Sequence, residues 1–126
     1  MNMRNPLATA RGHGSAKSGV HHWYAQRASA VFLIVLTGWF IFAIFHLAGA
    51  DYATTARFIA QPVNAAFLIL LVVTLLYHAM LGLQVVVEDY VHHPVLEGAL
   101  YFFIRAAAFF GMTLGIIHVL KLALGA

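Results

Sequence analysis

The stretch VNAAFLILLVVTLLYHAMLGLQVVVEDY, residues 63–90, decides the fold. It carries no charged side chain until its polar end, Glu88-Asp89-Tyr90, and as a helix it can cross a hydrocarbon core of about 30 Å. His78 lies about nine residues inside the end of the apolar part, roughly 14 Å deep at 1.5 Å per residue. A histidine at that depth is costly without a partner and is therefore a candidate functional residue. The buried histidine and the polar helix end predict a cofactor within the membrane and a small-molecule site at its edge.

The composition is that of a membrane protein. Of the 126 residues, 63% are hydrophobic and 9% are charged, against about 25% charged in ordinary soluble domains. These values exclude a soluble domain and a disordered chain. The net charge is +3, but the basic residues gather near the N-terminus without forming a stripe, so nothing indicates nucleic-acid binding. The chain has no cysteine, which excludes disulfides and cysteine-bound iron–sulfur clusters within it.

Three apolar runs organise the chain, and each is long enough to span the membrane as a helix. We predict an all-α integral membrane protein with three transmembrane helices, at about residues 26–48, 63–87 and 98–124, packed in a heteromeric bundle. Residues 1–25 form a polar N-terminal tail, and residues 1–126 make up a single membrane-anchor domain. There are no internal repeats.

The basic residues predict the orientation of the helices. Arg4, Arg11, Lys17 and Arg27 precede the first helix, which favours a cytoplasmic N-terminus. The first apolar run is too long for a typical signal-peptide core, so we expect it to be retained. We expect a multi-pass protein of the bacterial inner membrane. The acid-free tail also allows an organellar transit peptide, and hence the mitochondrial inner membrane, although its glycines disfavour a continuous amphipathic helix there.

His78 has two interpretations. It could be hydrogen-bonded across a helix interface, as happens in membrane bundles, or it could bind a cofactor. Gly82, one turn further on the same face, leaves room either for a flat ligand or for a neighbouring helix. A six-coordinate b-type haem commonly needs a second histidine, and no other histidine shares this depth. If haem is bound, a partner subunit therefore supplies the other ligand. For His46 and His118, at the opposite side, a structural role is favoured over a second haem between them.

The polar residues at the helix ends also have two interpretations each. Asp89 and Tyr90 could simply mark the point where a helix leaves the membrane. Alternatively, the phenol donates a hydrogen bond to a quinone carbonyl while the carboxylate orients it or relays protons. Arg27 could be a positive-inside anchor or could pair with a haem propionate. Arg105 lies less than three turns inside the third helix, where it could snorkel or meet an anion.

Four short segments resemble one known family, the hydrophobic membrane anchor subunits (D subunits) of succinate dehydrogenase. HAMLG at residues 78–82, followed by DYV at 89–91, is similar to the family's signature. GVH at 19–21 and RASA at 27–30 resemble its stretch before the first helix. The resemblance spans essentially the whole chain. The H-x-x-x-G motif at residues 78–82 is weak alone. It is fairly specific in combination with D-Y at 89–90 and with the spacing from G-V-H to R-A.

The resemblance implies the remaining expectations. The chain would pair with the cytochrome b556 C subunit and hold the flavoprotein A subunit and the iron–sulfur B subunit on the cytoplasmic or matrix side. His78 would be an axial iron ligand of haem b, Arg27 would lie near the propionates, and Tyr90 with Asp89 would contribute to the ubiquinone reduction site. The chain would then serve electron transfer from succinate to ubiquinone, in the tricarboxylic acid cycle and respiratory chain, without dehydrogenase chemistry of its own.

Three alternatives remain at this point. The chain could be the cytochrome b556 C subunit of the same complex, but the expected H-R-x-[ST]-G type of motif before the first helix is absent. It could be a structural membrane anchor without haem. It could also be a small transporter or channel subunit, for which the helices carry too few polar residues along one path.

Overall fold

The computed structural model describes residues 17–125, and the chain is helical over most of that range. Helix α1 spans Lys17–His46, α2 spans Tyr52–Ala60, α3 spans Pro62–Tyr90 and α4 spans Pro94–Leu124. Of these, α1, α3 and α4 are long and apolar enough to cross a membrane. The prediction of three transmembrane helices is confirmed. The first sixteen residues of the predicted tail lie outside the described part.

All three long helices extend beyond the apolar runs from which they were predicted. The first begins at Lys17 rather than near residue 26, so the last nine residues of the predicted polar tail, 17–25, are helical. The second continues without a break through Tyr90, and the third begins at Pro94 rather than residue 98. Hydropathy marks the edge of the hydrocarbon core, whereas a helix continues for as long as its backbone bonds can form. Pro94 marks the start of the third helix. A backbone N–H at the first helical position has no partner within the helix, so proline, which lacks one, is well suited there.

Helix α2 was not predicted, and it forms a short segment between the first two spans. Asp51 caps its start, accepting a hydrogen bond from the Thr54 backbone N–H at 2.9 Å. At its other end, the buried Asn64 side chain donates to the Phe58 carbonyl oxygen at 2.9 Å and to the Gln61 amide oxygen at 3.3 Å. These bonds fix the turn between α2 and α3. Nine residues are too few to give a membrane-span signal, which is why hydropathy missed this helix.

Helix α3 is the centre of the bundle. It packs against α4 through Gly111 and Gly115, where an added Cβ would meet Leu76 at 3.1 Å and would clash with Val72. Small residues four apart allow two membrane helices to approach closely, and these two glycines act in that way. On its other side α3 packs against α1, and within residues 17–125 α1 and α4 do not pack against each other. A cleft therefore opens between α1 and α4, with α3 as its floor.

Apolar side chains cover most of the outer surface. Phe32, Phe45, Phe102 and Phe110 are each about two-thirds exposed or more, and they are distributed over both flanking helices. Helices that are apolar on every side are buried in a membrane or in a larger assembly. The surface thus suits lipid or further membrane helices, and the polar cleft stands apart from it.

Candidate functional site

A cleft with a volume of about 770 Å³ lies between α1, α3 and α4. That volume is within the range of about 300–1,000 Å³ that is usual for small-molecule and cofactor sites. The lining side chains are mostly polar or aromatic, in contrast to the rest of the membrane-spanning surface. They are His22, Trp23, Gln26, Arg27, Ala30, His78, Gln84, Val85, Glu88, Tyr101 and Arg105.

Each of the three helices presents polar side chains to the cleft at a spacing of four residues. On α3 these are Gln84 and Glu88, and on α4 they are Tyr101 and Arg105. Residues four apart lie on the same face of a helix, one turn above the other. The cleft is therefore lined by one polar face of each of the three helices.

The His78 side chain, which belongs to α3, is held by two residues of α1. Its ring Nδ1 lies 2.9 Å from the Ser29 hydroxyl oxygen, and its Nε2 lies 3.3 Å from the Gln26 amide nitrogen. The Ser29 hydroxyl also donates to the Gln26 backbone carbonyl at 3.0 Å. The cross-helix hydrogen bond that one interpretation of His78 predicts is thus present, and it accounts for the register between α1 and α3. Both ring nitrogens have a partner on α1, so a ligand at Nε2 would have to replace the Gln26 amide.

Two buried polar atoms on α1 lack partners among the described residues. They are Nε2 of His22 and Oε1 of Gln26, and both belong to side chains that line the cleft. A buried polar atom without a hydrogen bond costs about 1–3 kcal/mol. Because native proteins seldom leave such atoms unpaired, the pair indicates that the cleft receives a polar ligand or ordered water.

Two guanidinium groups line opposite walls of the cleft. Arg27 on α1 lies over the Trp23 ring, 5.9 Å from its centroid, and Arg105 on α4 lies over the Tyr101 ring at 5.7 Å. With its amide oxygen turned towards α4, the buried Gln84 accepts from Arg105 Nε at 2.8 Å and Nη2 at 3.3 Å. The membrane-embedded Arg105 is thus stabilised by an amide and an aromatic ring, which the sequence did not predict.

Asp89 and Tyr90 do not join His78 in the cleft. Both lie in the last turn of α3 and are exposed, Tyr90 to 80%. Glu88, to which the sequence assigned no role, lines the cleft instead. Consecutive helical residues point about 100° apart, so these three side chains face different directions. The structure therefore places Asp89 and Tyr90 on a different surface from His78.

One sequence pattern that indicates the α1 wall of the cleft did not enter the prediction. His22, Gln26 and Ser29 recur at positions i, i+4 and i+7, which places them on one face of a helix. Polar residues at this spacing inside a membrane helix mark the face that meets another helix or a ligand.

His46 and His118, near the C-terminal ends of α1 and α4, contact other residues of these helices and of α2. The His46 ring lies 6.0 Å from Phe42 and 5.7 Å from Phe58, centroid to centroid. His118 Nδ1 is bonded to the Leu114 carbonyl oxygen at 2.7 Å. These contacts fit the structural role favoured for both.

The fold and the cleft define a small multi-pass membrane protein whose helices carry a polar site of cofactor size. The family described as "Succinate dehydrogenase/Fumarate reductase transmembrane subunit" matches residues 1–115, and the chain belongs to this family. The resemblance drawn from the sequence is thereby confirmed.

Individual relatives carry names that are more specific than the family description. The chain is 40% identical over 88 residues to a protein of Rickettsia bellii, covering 70% of each chain. It is 35% identical over 100 residues to one of Rickettsia conorii, covering 79% of each. It is 29% identical over 97 residues to one of Paracoccus denitrificans, covering 77% of this chain and 75% of the relative. All three are named succinate dehydrogenase hydrophobic membrane anchor subunit.

Proposed function

We propose that this membrane anchor binds haem b together with the cytochrome b556 C subunit and contributes to the ubiquinone reduction site of succinate dehydrogenase. The observation that carries the proposal is His78, a membrane-embedded histidine that lines a cleft of about 770 Å³ and is fixed by Ser29 through its Nδ1. The other ring nitrogen, Nε2, would bind the metal in place of its contact with the Gln26 amide, which lies 3.3 Å away.

The residues of the cleft fit a haem better than a free metal ion. Among the described residues, no three His, Asp or Glu side chains come together as a metal site. A haem brings four nitrogen ligands of its own and needs the protein only at its axial positions. The unpaired Gln26 and His22 atoms would be satisfied by a group that fills the cleft. Arg27, on the same wall, would bind a propionate carboxylate.

Within this proposal the side chains have distinct roles. When bound, the haem supplies reversible one-electron chemistry. His78 would hold its iron through Nε2, Ser29 would orient the imidazole, and Arg27 would neutralise negative charge. His22 lines the same cleft, but one turn nearer the start of α1 than the Gln26 side chain that contacts His78. A second ligand to the iron would come from the C subunit.

Tyr90 and Asp89 would serve the quinone. Their exposure at the end of an apolar helix suits a site that takes a lipid-soluble substrate from the membrane and protons from water. The Tyr90 hydroxyl would donate to a quinone carbonyl, and Asp89 would orient that hydroxyl or relay protons. Reduction of the quinone takes up two electrons and two protons, and the electrons come from other subunits.

The proposed assembly completes the site. The C subunit, the iron–sulfur B subunit and the flavoprotein A subunit would be the partners, with the last two held on the side of the N-terminus and Tyr90. The chain would lie in the bacterial inner membrane, and the relatives that support a bacterial source are those of Rickettsia and Paracoccus. The basic residues before the first helix favour a cytoplasmic N-terminus. The chain would contribute binding groups but no dehydrogenase chemistry.

A haem-free anchor is the second candidate, because the Gln26 amide lies 3.3 Å from His78 Nε2 and satisfies that nitrogen without a metal. The test is purification of the affinity-tagged chain in mild detergent, followed by subunit analysis and a reduced-minus-oxidised spectrum. We expect flavoprotein, iron–sulfur and C subunits together with a b-type spectrum. The same subunits without that spectrum would favour the haem-free anchor, and recovery of the chain alone would contradict both.

A further inference from the structure

Ser29 is one of the few buried polar residues of the bundle, with 5% of its surface exposed. Its hydroxyl makes two contacts at once. It lies 3.0 Å from the Gln26 backbone carbonyl, one turn earlier on the same helix, and 2.9 Å from His78 Nδ1 on the neighbouring helix. Ser29 thus connects the backbone of α1 to the imidazole on α3.

The two contacts together determine which nitrogen of His78 carries the hydrogen. A hydroxyl has a single hydrogen, and the Gln26 carbonyl can only accept, so Ser29 donates to that carbonyl. Its oxygen must then accept from His78, which requires hydrogen on Nδ1. The Nε2 lone pair is left facing the Gln26 amide nitrogen, which is a donor, at 3.3 Å. All three contacts are consistent with this tautomer, so we assign it to the neutral imidazole.

We propose that Ser29 is the positioning residue of His78, holding the imidazole in the Nδ1–H tautomer. The Nε2 lone pair, which faces the Gln26 amide at the cleft, is then the one that a ligand would use once that amide moves aside. The inference rests on the proposed function, in which Nε2 binds haem iron. Metal-binding histidines commonly donate their other N–H to a fixed acceptor, which sets the ring orientation and makes the ligand more basic. Here the acceptor is itself fixed by the backbone of α1, so the first membrane helix controls a ligand on the second.

A more basic imidazole stabilises ferric over ferrous iron. Loss of the Ser29 hydroxyl should therefore raise the midpoint potential of the haem. It should also weaken haem retention about 10- to 100-fold, the usual effect of removing such an outer partner. Ser29→Thr should preserve both properties, because a helical threonine hydroxyl also bonds to the carbonyl of the preceding turn.

The experiment uses the assembled complex with Ser29→Ala, Ser29→Thr and the control Thr37→Ala, which removes an exposed hydroxyl from the same helix. The readouts are the midpoint potential and the rate of haem loss to an excess of a haem-scavenging protein. We expect a raised potential and faster loss in Ser29→Ala only. An unchanged Ser29→Ala variant would overturn the inference, as would equal changes in Ser29→Ala and Ser29→Thr, which would indicate a role in packing. Absence of a haem spectrum in the wild-type complex would instead remove the proposed function itself.

Discussion

His78 and Tyr90 stand on one unbroken helix, twelve residues and therefore about 18 Å apart along its axis. His78 faces a cleft formed with α1, whereas Tyr90 is exposed on the last turn. The haem-binding and quinone-binding functions that we propose thus depend on different surfaces of one rigid element. Substitution at one end should leave the other intact, and the proposed roles can be tested one at a time.

Tyr90→Phe removes only the hydroxyl at the proposed quinone site. Loss of one hydrogen bond of about 0.5–1.5 kcal/mol should lower kcat/KM for ubiquinone about two- to tenfold. Succinate oxidation with an artificial acceptor that takes electrons before the quinone should be unchanged, as should the haem spectrum. Tyr77→Phe, at a tyrosine in the middle of the same helix, is the matched control and should behave like wild type. Equal quinone kinetics in all three proteins would contradict the role of Tyr90.

Gly115→Ala should destabilise the bundle, because the added Cβ would clash with Val72 on α3. Overpacking of this kind typically costs about 1–3 kcal/mol. The control is Gly98→Ala on the same helix, where nothing lies within 4 Å of the new Cβ. There the better helix propensity of alanine should raise the stability slightly. Thermal unfolding in detergent measures both variants, and a Gly115→Ala protein as stable as Gly98→Ala would refute this account of the α3–α4 packing.

Gln84→Leu should leave the Arg105 guanidinium in the membrane without its amide acceptor. A hydrogen bond to a charged group is worth about 1.5–3 kcal/mol, so the variant should unfold at a lower temperature. Gln84→Glu keeps an oxygen acceptor for Arg105 and should lose much less stability. The two variants have nearly the same side-chain size as wild type. If they were equally stable, the contact between Gln84 and Arg105 would have no energetic importance.

The start of α2 should respond to acid. Hydrogen bonds from the side chain and backbone of Thr54 hold the pKa of the Asp51 carboxyl below its ordinary value of 3.8. A lowered pKa means that the cap stabilises the folded form above 3.8 and that this contribution is lost as the pH falls through the folded-state pKa. Amide hydrogen exchange of residues 52–60 should therefore accelerate below that pH in wild type. In Asp51→Asn, which caps without titrating, exchange should lack this acid step, and an identical acid step there would contradict the assignment.

The sequence predicted the spans and singled out His78 as a candidate, but it did not predict how the cleft is built. Hydropathy is sufficient for α1, α3 and α4, because lipid requires long apolar helices. Ser29 and Gln26 contact a histidine that lies 49 and 52 positions later in the chain. Such contacts depend on the register between helices. In a membrane both the lipid-facing and the protein-facing sides are apolar, so hydrophobic periodicity does not reveal that register.

The polar residues were also individually ambiguous. Arg105 has no acidic neighbour on its own helix face that would indicate its partner, and its amide acceptor Gln84 looks from the sequence like one polar residue in an apolar run. Glu88, Asp89 and Tyr90 are adjacent in sequence, yet only the first lines the cleft. Their side chains point in different directions because all three residues belong to one unbroken helix that continues through Tyr90.

The most direct test of the central claim compares the two histidines that line the cleft. His78→Ala and His22→Ala complexes are purified alongside wild type and analysed by optical and electron paramagnetic resonance spectra of the haem. We predict that His78→Ala loses the low-spin b-type signal, while His22→Ala retains it because its imidazole is not an iron ligand. A low-spin signal unchanged in His78→Ala would contradict the assignment of His78 as the haem ligand.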